Sequence, residues 1–217
     1  MKYDLVIFDL DGTLLDTLDD LAAAVDHALT MNGFPPPGRE DVRRLIGNGI
    51  ASTIRRALPA QTPDEQRDRV LSDFRACYLR NLSVHTHPFD GIVDLLDALN
   101  AAGIKVAVNS NKLDEAVGAL CETHLGRHVQ LALGERAGIP RKPAPDGANA
   151  IMRRLSVEPS RTLYVGDGEA DILTAQNAGI DGAWVSWGYR TAQELAGLDI
   201  PRRFNDAASL RKYLLER

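Results

Sequence analysis

Asp9 and Asp11 close a short apolar run, Tyr3 to Thr13, that reads YDLVIFDLDGT. In a strand, side chains at i and i+2 share a face, so both carboxylates project to one side. Like charges held that close are unfavourable unless one acid is protonated or a cation lies between them. A plain turn after a buried strand does not explain why both positions are acidic. Two further apolar runs end in polar clusters: Asn109-Ser110-Asn111-Lys112 follows Ile104 to Val108, and Gly166-Asp167-Gly168-Glu169-Ala170-Asp171 follows Thr162 to Val165. Ligands of open α/β sheets bind outside the carboxyl ends of strands, where the strand order reverses. With the first strand at that point, Asp9, Asp11, Ser110 and Asp167 would meet in one crevice.

The elements that must position these residues follow from periodicity. Leu18, Leu21, Ala22, Val25 and Leu29 recur at helical intervals, with Gly33 as a stop. Helical reading continues to about Asn81, broken by the turn from Gly33 to Gly38 and by Gly47-Asn48-Gly49; a further helix starts at Asp64, with Val70, Leu71, Phe74 and Tyr78 on one side. This block lacks strands and reads as an insertion after the first strand. From Pro88 onward strands and helices alternate. The expected strands are Ile104 to Val108, Val129 to Leu133, Thr162 to Val165 and Ala183 to Ser186, with a last helix from Asp206 through Leu215. Five strands separated by helices imply a mostly parallel sheet covered on both faces.

The 217 residues can bury a full core, and the net charge of −5 comes without a basic stripe, which argues against a nucleic-acid partner. An anionic small substrate would need local positive charge, which a metal can supply. Cys77 and Cys121 are too few and too far apart for a disulfide framework or a cysteine metal site, which suits a reducing cytoplasm. The first strand begins within three residues of the start and no apolar run nears the ~18 residues of a membrane span, so neither a signal peptide nor a membrane segment is expected.

In these motifs and their order the sequence closely resembles the haloacid dehalogenase superfamily, in particular its phosphatase branch with a helical cap. Four motifs match in sequence: Asp9 to Thr13, then Ser110, then Lys142 in Arg-Lys-Pro-Ala-Pro-Asp, then Gly166 to Asp171. The resemblance implies a Rossmann-like α/β core of strand order 3-2-1-4-5, formed by residues 1–16 and 88–217, and a helical cap domain over 17–87. It assigns the nucleophile to Asp9, which would carry an aspartyl-phosphate. It makes Asp11 the general acid and then the base, with its backbone carbonyl on the metal. Asp9 and Asp167 would supply carboxylates to Mg²⁺, a cation that keeps several waters and takes one or two carboxylates. Asp171 would orient Lys142 or metal-bound water, against the simpler account of an acid at a helix N-terminus. Ser110 and Asn111 would hold phosphate through a hydroxyl and a backbone N–H, and Lys142 would offer a point charge; the plainer role for Ser110 is a helix N-cap. Lys112 has weaker support and is left out.

His85 and His87 read as residues of the linker between cap and core, and Asp19-Asp20 as the solvated first turn of a helix. Hinges are expected near Leu14 to Thr17 and Val84 to Gly91. Gly47-Asn48-Gly49 and Ser186-Trp187-Gly188-Tyr189 resemble the phosphoglycolate phosphatases, which makes 2-phosphoglycolate the leading substrate. No lysine lies between Lys2 and Lys105, so the cap lysine of the phosphonoacetaldehyde hydrolases is missing. The dehalogenase branch lacks a second acid where Asp11 stands. The alternative is a β-phosphoglucomutase-like phosphosugar mutase that uses the same two aspartates.

Overall fold

Strand β1 (Leu5–Phe8) is buried along its whole length, and its alternation decides what packs on each side of the sheet. Val6 and Phe8 face one core with Leu95, Leu96, Leu99 and Leu210, whereas Leu5 and Ile7 face a second with Ile151, Met152 and Ala175. A strand apolar on both faces belongs in the middle of a parallel sheet, because crossover helices cover both sides. In the computed structural model, which describes residues 2–216, β1 pairs in parallel with β4 (Lys105–Leu113) on one side and β6 (Thr162–Gly166) on the other. Leu5 sits opposite Lys105 and Thr162.

The other strands of this sheet are β5 (Leu131–Glu135), β7 (Asp181–Val185) and β8 (Arg203–Phe204), in the order β5-β4-β1-β6-β7-β8. The five expected strands thus take the order 3-2-1-4-5, with the two-residue β8 added beyond β7. Helices α5 (Ile92–Ala101), α6 (Asp114–Leu120) and α9 (Ala207–Leu215) contribute to the first core, and α7 (Asp146–Leu155) and α8 (Glu169–Ala178) to the second. The last helix starts where the Asp206 carboxylate accepts the Ser209 N–H at 2.7 Å, an N-cap of the ordinary kind.

Between β1 and α5 the chain forms α1 (Leu18–Met31), α2 (Arg39–Leu45), α3 (Ile50–Ala57) and α4 (Asp64–Arg80), packed around Val25, Leu29, Val42, Val70 and Phe74. The separate helix α3 follows directly on the Gly47-Asn48-Gly49 turn and was not distinguished by periodicity. Where the chain enters and leaves this helical block, β2 (Leu15–Asp16) and β3 (His87–Pro88) pair antiparallel. That ribbon also escapes the sequence, since two residues carry no alternation.

One expectation is reversed. Asp20 is not on a solvated face: it is 4% exposed. Its carboxylate accepts hydrogen bonds from the backbone N–H of Val84, His85 and Thr86 and from the Thr86 hydroxyl, at 2.8–3.1 Å. The helix-start preference for acids is local, whereas this carboxylate is fixed by a segment more than sixty residues away. His85 and His87 lie in the segment that returns from these helices, with His87 in β3.

Candidate active site

The carboxyl ends of β1, β4 and β6 converge on a cavity of about 110 Å³, roofed by Ile46, Ile50 and Phe74 from the helical block. Asp9 follows β1 directly. Carboxylate oxygens of Asp9, Asp167 and Asp171 lie within 4.8 Å of one another, although Asp167 and Asp171 come from the turn after β6 and the start of α8. Oxygen donors of this kind suit a hard divalent cation. Burial is the first cause that pushes the Asp9 carboxyl up to about 8, with the charges of Asp171 and Asp167 adding to it against the opposing Lys142. Asp167 is pushed up to about 7, again first by burial and then by Asp171. The protein alone therefore leaves these acids short of positive charge, and the donor set fits Mg²⁺ on that physical ground.

Lys142 is buried with its ammonium 2.7 Å from Asp171 Oδ1 and 2.8 Å from Asp9 Oδ1. Burial alone would lower the pKa of this ammonium, but Asp171 and Asp9 overcome that and hold it well above its ordinary value. Asp171 is fully engaged, since its other oxygen accepts the Gly168 N–H at 3.0 Å. Its place is thus to hold Lys142 and the turn. The Lys142 loop is in turn fixed by Asn111, whose side-chain oxygen accepts the Lys142 N–H at 2.8 Å and whose amide donates to the Lys142 carbonyl at 3.1 Å and to the Gly47 carbonyl at 3.2 Å. The Asn111 side chain is spent on these contacts. Ser110, 6% exposed, lines the cavity, and its hydroxyl accepts the Lys112 N–H at 3.3 Å.

Asp11 points away from the three-acid cluster. Its carboxylate accepts Thr17 Oγ1 at 2.7 Å and the Lys112 ammonium at 2.8 and 2.9 Å. Lys112 is the residue the sequence reading passed over. Its side chain is 4% exposed and its ammonium lies 4.7 Å from the Tyr78 ring centroid. No local signal singles it out, because β4 shifts register between Asn109 and Leu113 and strand alternation fails there.

The loop after β7 completes the site. Tyr189 donates its N–H to Asp167 Oδ2 at 2.6 Å, and its hydroxyl accepts the Thr17 N–H at 2.7 Å. Trp184 Nε1 donates to the Asp167 carbonyl and Trp187 Nε1 to the Thr13 carbonyl. A methyl group at Gly12, where φ is +80°, would come 2.6 Å from Asp167 Oδ2, so this turn needs glycine twice over. The arrangement can hold a cation between acids, place a carboxylate in line with a bound anion, and keep a second carboxylate two residues away for proton transfer.

Comparison with known proteins gives a consistent result. The family model of the haloacid dehalogenase-like hydrolases matches residues 6–185. Phosphoglycolate phosphatase 1 of Pseudomonas aeruginosa is 36% identical over 198 residues, covering 88% of this chain and 72% of that protein. The phosphoglycolate phosphatase of Aquifex aeolicus is 34% identical, covering 85% of each. Among solved structures, a candidate phosphoglycolate phosphatase from Lactobacillus delbrueckii subsp. bulgaricus superposes with a TM-score of 0.95 at 34% identity, over 100% of both chains. CbbY from Rhodobacter sphaeroides, solved with phosphate, gives 0.76 at 26% identity over 96% of both chains.

Proposed function

The chain belongs to the haloacid dehalogenase-like hydrolases, and from that premise we propose that it is a Mg²⁺-dependent phosphatase of small phosphorylated metabolites, with 2-phosphoglycolate the leading substrate. The observation that carries the reading is the meeting of Asp9, Asp167 and Lys142 at the ends of two adjacent parallel strands, with Asp11 two residues beyond Asp9. The names of the relatives support the substrate.

Asp9 and Asp167 would hold the Mg²⁺, with the Asp11 backbone carbonyl. The bound cation supplies charge neutralisation for the phosphoryl oxygens and for the attacking carboxylate. Asp9 attacks phosphorus; the new O–P bond forms as the ester P–O bond breaks, and Asp11 gives its proton to the departing alkoxide oxygen. Water then attacks the aspartyl-phosphate while Asp11 takes its proton, the bond to Asp9 breaks, and inorganic phosphate leaves. Proton transfer of this kind contributes roughly 10²- to 10⁴-fold. Ser110 and the Asn111 N–H hold phosphoryl oxygens, and Lys142 holds the nucleophile in place. Residues 17–87 act as the cap that shields the reaction from water, and nothing in the chemistry calls for a nucleic acid or a membrane.

The test is release of inorganic phosphate from a panel of phosphate esters, with Mg²⁺ and with EDTA. Activity should require the metal, favour 2-phosphoglycolate, and disappear in Asp9→Asn. Full turnover by Asp9→Asn, or conversion of β-glucose 1-phosphate to glucose 6-phosphate without phosphate release, would overturn the proposal.

A further inference from the structure

The Lys112 ammonium stands apart from Lys142 and the acids around it. It is buried in the wall of the cavity, and its carboxylate partner is Asp11, the group the proposed mechanism sends to the ester oxygen. Once Asp11 turns to that oxygen, Lys112 is a buried ammonium without a counter-charge, a costly state. Beside it lies a second unmet demand. Tyr78 is 1% exposed and lines the same cavity, and its hydroxyl, beside the Lys112 ammonium, finds no acceptor for its proton among the described residues. Buried polar atoms are nearly always paired, so an orphan beside a cation in a cavity points to an absent acceptor.

The other cations of the cavity are already committed. Lys142 is held by Asp9 and Asp171, and Arg190 donates to the backbone carbonyls of Arg43 and Ile46. Position agrees with this. Ser110 and Lys112 both line the cavity, and the Ser110 hydroxyl accepts the Lys112 N–H at 3.3 Å where β4 shifts register. A phosphoryl group at Ser110 therefore places the first atoms of its leaving group near Lys112.

We infer that Lys112, with the Tyr78 hydroxyl beside it, is the specificity-determining site for an anionic group on the leaving alcohol, so that the preferred substrates are phosphate esters of short hydroxy acids. The carboxylate of such a leaving group takes the place of Asp11 on the ammonium and accepts the Tyr78 O–H. An ester of a neutral alcohol gives the ammonium no counter-charge and the Tyr78 O–H only an uncharged, weaker acceptor. This inference rests on the phosphatase reading and names its substrate class by chemistry.

The experiment compares 2-phosphoglycolate with 2-hydroxyethyl phosphate, in which an uncharged CH₂OH replaces the carboxylate, for the wild type, Lys112→Met and Tyr78→Phe. Loss of a charge-assisted hydrogen bond should raise KM for 2-phosphoglycolate roughly 10- to 100-fold in Lys112→Met. The loss of one hydroxyl contact in Tyr78→Phe should raise it roughly 3- to 10-fold. KM for 2-hydroxyethyl phosphate should stay within about threefold of wild type in both. Because Lys112 also holds Asp11, kcat should fall for both esters alike in Lys112→Met; equal changes in KM for the two esters would overturn the inference and show that Lys112 acts through Asp11 alone. Thermal melts report whether Lys112→Met folds, and if it does not, the isosteric Tyr78→Phe decides the matter. A wild type that releases phosphate from neither ester, nor from any other, would instead overturn the phosphatase reading on which the inference stands.

Discussion

Replacing Asp20 tests the part of the structure that sequence reasoning placed wrongly. Its carboxylate receives the Val84, His85 and Thr86 N–H groups and the Thr86 hydroxyl. Hydrogen bonds to a charged acceptor contribute about 1.5–3 kcal/mol each, and neutral ones about 0.5–1.5. Asp20→Asn keeps one acceptor but loses the charge, and the lost N–H groups of the exposed Val84 and His85 can turn to water. The buried Thr86 cannot do so as easily, which leaves a cost of about 2 kcal/mol for the asparagine. In a chain of this size each kcal/mol lowers the melting temperature by about 2–4 °C, so a drop of roughly 4–8 °C is expected. Differential scanning calorimetry at neutral pH measures it. Because the anchored segment is where the chain returns from the helical block, kcat and KM should also move together, as they do for hinge changes. A melting temperature within about 1 °C of wild type would refute the reasoning, since it would mean the three N–H groups gain no more from the carboxylate than from water.

Two further outcomes follow from the acid cluster. The folded, metal-free protein holds Asp9 at about 8 and Asp167 at about 7, against the ordinary 3.8. Both pKa values are raised, so the folded state binds protons that the unfolded chain has released, and the stability of the metal-free protein falls as pH rises from about 4 to 8. Mg²⁺ competes with those protons; it should therefore raise the melting temperature more at pH 8 than at pH 6, and equal increments would contradict the assignment. In Gly188→Ala the new methyl would collide with the Gly12 carbonyl oxygen and the Asp167 side chain. Displacing Asp167 should weaken the metal requirement's midpoint by roughly 10- to 100-fold, read from Mg²⁺ titration of activity, and an unchanged midpoint would count against Asp167 as a ligand.

How much of this was legible depends on the range over which each residue's role is set. Asp9, Ser110 and Asp167 could be picked out because each terminates a strand-like apolar run, and the order of those strands follows from the βα alternation. Lys142 was visible through its motif. Lys112, Tyr78 and Asp20 were not, since nothing local distinguishes a lysine against an aromatic ring from a solvated one, or a helix-start acid that caps its own helix from one that binds residues 84–86. Very short elements fail for a different reason. The pairs Leu15–Asp16 with His87–Pro88, and β8, are too short for alternation to register, and they form because the rest of the fold brings their backbones alongside.

The helical block and the sheet are joined in two physically different ways. Where the chain enters and leaves the helical block, the Asp20 carboxylate accepts three N–H groups, and beside the β2–β3 ribbon the Phe89 N–H donates to Leu14 O at 3.1 Å. At the rim of the cavity the contacts are made by arginine side chains. Arg43 from α2 donates to the Tyr189 carbonyl and meets Glu194 at 3.4 Å, while Arg190 returns the contact onto the carbonyls of Arg43 and Ile46. Exposed ion pairs contribute only about 0–1 kcal/mol each, because water and salt compete for both partners. Tyr189 belongs to both connections, with its N–H on Asp167, its carbonyl on Arg43 and its hydroxyl on Thr17 at the start of α1. A displacement of α2 at the rim is therefore transmitted through one residue to the carboxylate proposed to hold the metal, so the helices proposed to choose the leaving group are not mechanically separate from the acids proposed to act on it.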